Sequence, residues 1–351
     1  MLITDHELTR FTDDVPDADA IEAGAWDTPR YGRGDRLGSY HEVGPDTAQR
    51  ALSLLDLSRP VRSFSLGETL YVGYPGWGER AYSQQLVVNG YQPSPDFEGV
   101  VLAAEASGRN RASTLEEVVS LSFNLGSKVN GLAHVGVGRV YYGGRRIEDL
   151  LATGGVTDLD TTEWGAPLVT RGYVIDVLSY LLESAPAGSP ALAAAADGRA
   201  VLAGDHRITL EELLGAIERQ SLPSFEPGDA IFLRTGWRRL LRTEPKRYLR
   251  GSPGVWLRET RWLASFRPAM VGTDSWCWGS TSSSVTQGNL AACHQELLVH
   301  EGVRIAESMA LDELSAAGVD RFVLIHNPIR AEGAVSTNAA PTALANVEPG
   351  A

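Results

Sequence analysis

A chain of 351 residues that is 43% hydrophobic can bury a large core, and it carries a net charge of −13 with a pI near 5.0. That acidity argues against nucleic acid or an anionic membrane surface as partner, since both call for basic patches. No run of roughly 18 apolar residues is present to span a bilayer, and two cysteines without a CxxC pair predict neither a disulfide framework nor a cysteine zinc site. With a polar, acidic start that lacks a signal pattern, these features predict a cytoplasmic protein.

Residues 1–25 read as an arm that packs on the body or on a partner subunit, 26–345 as a single domain, and 346–351 as a tail. The glycine-rich loop Trp26–Gly38 contains a G-x-G but has no third glycine and no strand before it, so it is not a dinucleotide fingerprint. Asp46 is expected to cap a helix to about Leu57, with Ala48, Ala51, Leu52 and Leu55 at helical spacing. Residues 61–72 alternate like a strand. Residues 73–98, with Tyr74, Trp77, Tyr82 and Tyr91, read equally as a pocket lid or a packed loop.

Residues 127–144 hold one histidine among closely spaced glycines. Read as a strand, they put Ala133, Val135 and Val137 on one face and His134, Gly136 and Gly138 on the other. His134 would then rise from a floor almost bare of side chains, as in a ligand pocket. The plainer alternative is a hydrogen-bonded histidine at a barrel bend.

Further on, residues 169–184 predict a strand running into a short helix, and 185–200 a surface excursion. Thr209 and Glu212 form a capping box that opens a helix to Gln220. A turn at 226–229 launches the strand 230–235, apolar enough to be buried on both faces. A helix over 255–265 and a strand over 269–273 follow. Strands alternating with helices predict an α/β fold around a closed or strongly curved sheet.

Two polar groups stand where apolar residues are expected. His294 lies on the Leu290, Leu297 and Leu298 stripe of a helix over 290–301. Glu307 shares a strand face with Val303 and Ile305. A carboxylate pointing inward is costly unless it is paired, protonated or bound to metal; each group also reads as a satisfied core residue. Asp274 and Ser275 are weaker candidates, His326 reads as a core histidine, and His6, His41, His206 and His300 as exposed or local. There is no G-x-S-x-G elbow, HExxH or P-loop.

The order and spacing of TPRYGRGDRLGSY (28–40), GLAHVGVGRVYYGG (131–144), VTRGYVIDV (169–177), EPGDAIFLRTGW (226–237), MVGTDSW (270–276) and HQELLVHEGVRIAESMALDEL (294–314) resemble the cyclase family, which includes kynurenine formamidase and isatin hydrolase. The resemblance implies a β-barrel-like mixed sheet wrapped by helices, in a homodimer or homotetramer. It also implies a Zn or Mn site built on a His-x-Gly-Thr-His-x-Asp-x-Pro-x-His motif plus a later histidine and glutamate. By that resemblance the central histidine falls on His134, the later histidine on His294 and the glutamate on Glu307. The first ligand, however, falls on Asn130, the aspartate on Gly136 and the terminal acid/base histidine on Val140.

Glycine and valine supply no donor, and a water-activating metal needs about three protein ligands. Gln287, Asp274 and Glu296 are the candidates to replace a lost ligand. The expectation is therefore a repurposed enzyme without a favoured cofactor. It would close a ring, such as an oxygen heterocycle formed by conjugate addition, on a small polyketide-like specialised metabolite. His134, His294 and Glu307 would be catalytic, with Asn130, Gly136, Val140, Tyr141, Tyr74 and Trp77 contacting substrate. The alternatives are a Zn- or Mn-dependent amide or lactone hydrolase on His134, His294 and Glu307, and an inactive small-molecule binding protein.

Overall fold

The computed structural model describes residues 8–89, 91–93, 100–102, 109–110, 112 and 114–347. His6, the last four residues of the tail, residue 90 and residues 94–98 lie outside them. Nine strands form one sheet: β1 (Val61–Ser65), β2 (Lys128–Asn130), β3 (Leu168–Ile175), β4 (Ala230–Leu233), β5 (Met270–Thr273), β6 (Arg304–Glu307), β7 (Arg321–His326), β8 (Ser336–Asn338) and β9 (Thr342–Asn346). Their order is β1-β9-β7-β3-β4-β5-β6-β2-β8. Neighbours from β3 to β6 are parallel and the remaining pairs antiparallel. The sheet curls into a half-barrel with helices packed around it, as the resemblance implied.

Strand parity divides the core. Ile231 and Leu233 of β4, Val271 of β5 and Ile305 of β6 join the buried cluster that includes α2 (Val177–Ser184), α3 (Leu210–Arg219), α4 (Leu257–Ala264) and α5 (Ala292–His294). Ala230 and Phe232, Met270 and Ala306 face the other way, into a cluster with Tyr40, Trp164, Phe322 and Leu324. Both faces of the central strands are thus covered, which is why β4 reads as a continuous apolar run. The same parity puts Glu307 on the helix-covered face and Arg304 on the opposite one.

Several local expectations shift. The helix α1 spans Pro45–Leu52 and stops short of Leu57. Its start is set by Pro45 and by the Thr47 hydroxyl, which accepts the Gly44 N–H at 2.9 Å, so Asp46 sits inside the first turn and does not cap it. The strand predicted over 61–72 ends at Ser65, and the excursion at 185–200 carries a short hairpin, Leu192–Ala194 with Ala200–Leu202. Leu290 is 81% exposed and lies outside the helix, which starts at Ala292 and widens after His294 into a π-type stretch, Gln295–Glu301.

The largest correction concerns residues 131–138. β2 ends at Asn130 and the chain turns at once, with the His134 N–H donating to Gly131 O at 3.0 Å. Gly131 permits the turn because a Cβ there would lie 2.7 Å from the Trp164 ring and 2.8 Å from Val335 O. His134 therefore stands on a packed turn and not on an alternating strand.

The arm lies on the body from residue 8 onward: Asp13 accepts from Arg207 and from the Arg258 N–H, and Glu22 from the Arg139 N–H. No helix among the described residues is long and apolar enough to cross a membrane. The capping box at Thr209 is formed in both directions, with Glu212 N–H to Thr209 Oγ1 at 3.2 Å and Thr209 N–H to Glu212 at 2.9 Å. Thr209→Ala is expected to cost about 1 kcal/mol, read as a lower midpoint in urea at unchanged slope.

Candidate active site

Glu307 ends β6 with its carboxylate 1% exposed. The next strand, β2, runs antiparallel to β6 and places Lys128 opposite Glu307 and Asn130 opposite Ile305. Lys128 and Asn130 share a face, and both reach the carboxylate. The Lys128 ammonium donates to Glu307 Oε2, and Asn130 Nδ2 donates to the same oxygen at 3.0 Å. The other oxygen, Oε1, accepts the Trp278 backbone N–H at 2.7 Å and stands 3.0 Å from His294 Nε2. Burial alone would raise this carboxyl's pKa. Lys128 first and His294 second outweigh burial and hold it well below the usual carboxylate range.

His134 stands apart from this knot, half-buried, its Nδ1 3.5 Å from the Asn124 amide nitrogen. Desolvation, then the charges of Lys128 and His294, lower its pKa to about 3, so the ring is neutral at pH 7. A narrow cleft opens beside Lys128. Tyr74, Trp77, Asn124, Lys128, Tyr248 and Trp276 are among its lining residues. Trp77 and Trp276 pack at 5.4 Å between ring centroids. Ser308, also on the cleft, is held at φ 56°, unusual for a residue other than glycine, and stands 2.9 Å from the Tyr248 hydroxyl.

The structure thus joins His294, Glu307 and Asn130 directly, and sets Tyr74 and Trp77 on the adjoining cleft. It sends other predicted residues elsewhere. Val140 is fully buried with Ile21, Val137 and Val299. The Tyr141 ring lies over Gly136, where an added Cβ would fall 2.7 Å from that ring and 2.8 Å from Val140 O. A carboxylate at position 136 is therefore shut out by backbone as well as missing from the sequence.

Two of the three proposed replacement ligands are also occupied. Asp274 accepts from Thr235 and the Gly236 N–H, and Glu296 pairs with Arg261 and His300. Gln287 lies in a turn lining a different cavity, with Asp13 and Arg207. Lys128 is what the sequence reading missed. The chain has only two lysines against 29 arginines, and one of them sits in a strand two residues before Asn130. That was the available signal.

The family model described as "Putative cyclase" matches residues 55–280, more than half of the chain. The chain belongs to the cyclase family. Among solved structures, a novel cyclase superposes with a TM-score of 0.71 at 20% identity, covering 91% of this chain and 98% of that one. An isatin hydrolase bound to the product analogue thioisatinate gives 0.55 at 14% identity, covering 86% and 99%. Isatin hydrolase A from Labrenzia aggregata, bound to benzyl benzoate, gives 0.54 at 18% identity, covering 82% and 94%. At such identities these likenesses establish the fold. No curated protein matches the chain.

The metal implied by the cyclase-family resemblance is a poor fit to these residues. Cys277, His294 and Glu307 offer donor atoms within 4.8 Å of one another, but His134 is not among them. Both Glu307 oxygens are engaged, one by an ammonium. A divalent ion would have to share a buried carboxylate with that ammonium, and like charges at close range in a poorly polarisable interior repel strongly.

If Lys128 is the counter-charge of Glu307, Lys128→Met strands a buried carboxylate and is expected to cost about 3–5 kcal/mol, whereas Lys128→Met/Glu307→Leu recovers most of it. The pH dependence has a defined sign. A carboxyl with a depressed folded pKa contributes stability that is complete above the ordinary carboxylate range and is lost as pH falls through the folded value. Urea midpoints from pH 7 to 3 are expected to show that acid-sensitive contribution in the wild type and lose it in the double variant.

Proposed function

We propose that this cyclase-family protein is an enzyme that closes a ring on a small, largely apolar molecule without a resident metal, with Lys128 supplying the positive charge. The observation that carries this reading is the engaged state of Glu307: its carboxylate is neutralised by an ammonium borne on the neighbouring strand.

The cleft supplies the remaining parts. Aromatic walls from Tyr74, Trp77, Tyr248 and Trp276 suit an apolar substrate. With about 20 Å³ of space, roughly room for one water, the cleft must widen to admit a substrate. Holding a flexible chain folded there contributes through proximity, up to roughly 7–11 kcal/mol in favourable intramolecular cases.

For conjugate addition, a substrate hydroxyl oxygen bonds to the β-carbon of an unsaturated carbonyl, and the displaced π pair moves to the carbonyl oxygen. Lys128 faces that developing enolate. His134, neutral and 3.5 Å from Asn124 of the cleft wall, takes the hydroxyl proton and returns it to the α-carbon. Its basicity rises as the enolate forms, because the new negative charge offsets Lys128 and His294. The product is a cyclic ether with no net change of oxidation state. A polyketide-like specialised metabolite fits this chemistry.

The clustering of Cys277, His294 and Glu307 favours a second reading, a Zn- or Mn-dependent amide or lactone hydrolase in the manner of the isatin hydrolases whose fold is similar. The two readings part on metal. Protein purified without chelator is expected to carry far less than one equivalent of Zn or Mn by elemental analysis, and its melting temperature to be unchanged by added Zn²⁺ or Mn²⁺. Stoichiometric metal, with stability or turnover lost to EDTA, overturns the proposal.

A further inference from the structure

Arg304 is three residues from Glu307 but on the opposite face of the sheet. It is fully buried, 0% exposed. Its Nη1 donates to Leu37 O at 2.6 Å, while Nε and Nη2 have no hydrogen-bond partner among the described residues. Among the described residues no carboxylate pairs with it. The nearest acidic influence, Asp35, is already taken by Tyr142, His41 and the Leu37 and Gly38 N–H groups. What surrounds Arg304 is aromatic: its guanidinium carbon lies 4.0 Å from the centroid of Tyr40 and 4.8 Å from that of Trp164. Such faces soften the desolvation of a cation but leave its N–H donors unsatisfied.

The unsatisfied groups are not confined to one side chain. The Tyr40 hydroxyl, the Trp164 indole N–H and both ring nitrogens of His326 are also buried without a partner. His326 lies on β7 opposite Leu168, 1% exposed, close enough for Arg304 to act on its charge state. Most buried polar groups find a partner, so this collection of four residues on one face of the sheet is unusual. Directly outside it lies a cavity of about 360 Å³ whose wall includes Tyr40, Trp164, Leu37, Pro167 and Leu168. That volume falls in the range of small-molecule sites, roughly 300–1,000 Å³, and its wall is mainly apolar.

We propose that this chamber is a second ligand site, separate from the cleft beside Lys128, and that it takes a small carboxylate carried on an apolar body. The carboxylate would be met by Arg304, Trp164 and His326, and the apolar body would rest in the cavity at Tyr40 and Leu168. A planar guanidinium with free N–H groups is built to hold a carboxylate. The chain's net charge of −13 works against diffuse anion attraction, so binding here would depend on this local arrangement. Reaching Arg304 from the cavity requires the Tyr40 or Trp164 ring to turn aside. The proposal is independent of the reaction assigned to Lys128 and His134.

Thermal unfolding and calorimetric titration of the full chain with phenylacetate, acetate and the neutral analogue phenylacetamide, at constant ionic strength, test it. Phenylacetate is expected to raise the melting temperature saturably, acetate to do so more weakly, and phenylacetamide not at all. In Arg304→Met the phenylacetate response is expected to vanish. The variant's melting temperature without ligand should equal or exceed the wild type's, because an unpaired buried cation has been removed. If Arg304→Met does not fold, His326→Leu serves in its place and is expected to weaken phenylacetate at least about tenfold. Equal responses to acid and amide, a response that survives Arg304→Met, or no response to phenylacetate overturns the proposal.

Discussion

A carboxylate sealed from water must be answered by positive charge or by hydrogen bonds, and the region around Glu307 is arranged to do so. One strand, one helix end and one backbone N–H converge on its two oxygens. β2 is only three residues long, yet its antiparallel register against β6 brings both Lys128 and Asn130 to the same carboxylate. The helix start at Ala292 places His294 on the other oxygen, and Ser308 takes a left-handed conformation at the exit from β6. Local strain at this point is held by the surrounding contacts.

The period of a strand gives the molecule a second consequence. Because β6 is buried on both faces, its charged residues cannot both look toward one site. Glu307 meets an ammonium on the helix-covered face. Arg304, on the other face, meets aromatic rings and, among the described residues, no carboxylate. One short strand therefore carries two buried charges in opposite environments: Glu307 paired with an ammonium, Arg304 set among aromatic rings.

Much of this was legible from residues alone. The fully apolar run of β4, the capping box at Thr209, and the inward placement of His294 and Glu307 follow from period and composition, and the ordered motifs pointed to the fold. The strand expected through His134 was not found, because period-2 spacing cannot register that Gly131 is pressed against Trp164 and turns the chain. Leu290 fell off the helix because the non-glycine residues Gln287 and Ala291 adopt positive φ just before it, which spacing does not reveal. Lys128 was overlooked for a related reason: a lysine in a strand reads as solvent-facing until the register shows which carboxylate lies across from it. The orphaned donors of Arg304 are a property of packing and could not be read from the chain.

The proposed chemistry requires that Lys128, and not a metal ion, neutralise Glu307. Crystals grown with Zn²⁺ and measured above and below the zinc absorption edge test this directly. The Lys128 ammonium is expected on Glu307 Oε2, with no anomalous peak among Cys277, His294 and Glu307. A strong anomalous peak bonded to Glu307 and His294, with Lys128 swung away, would contradict it.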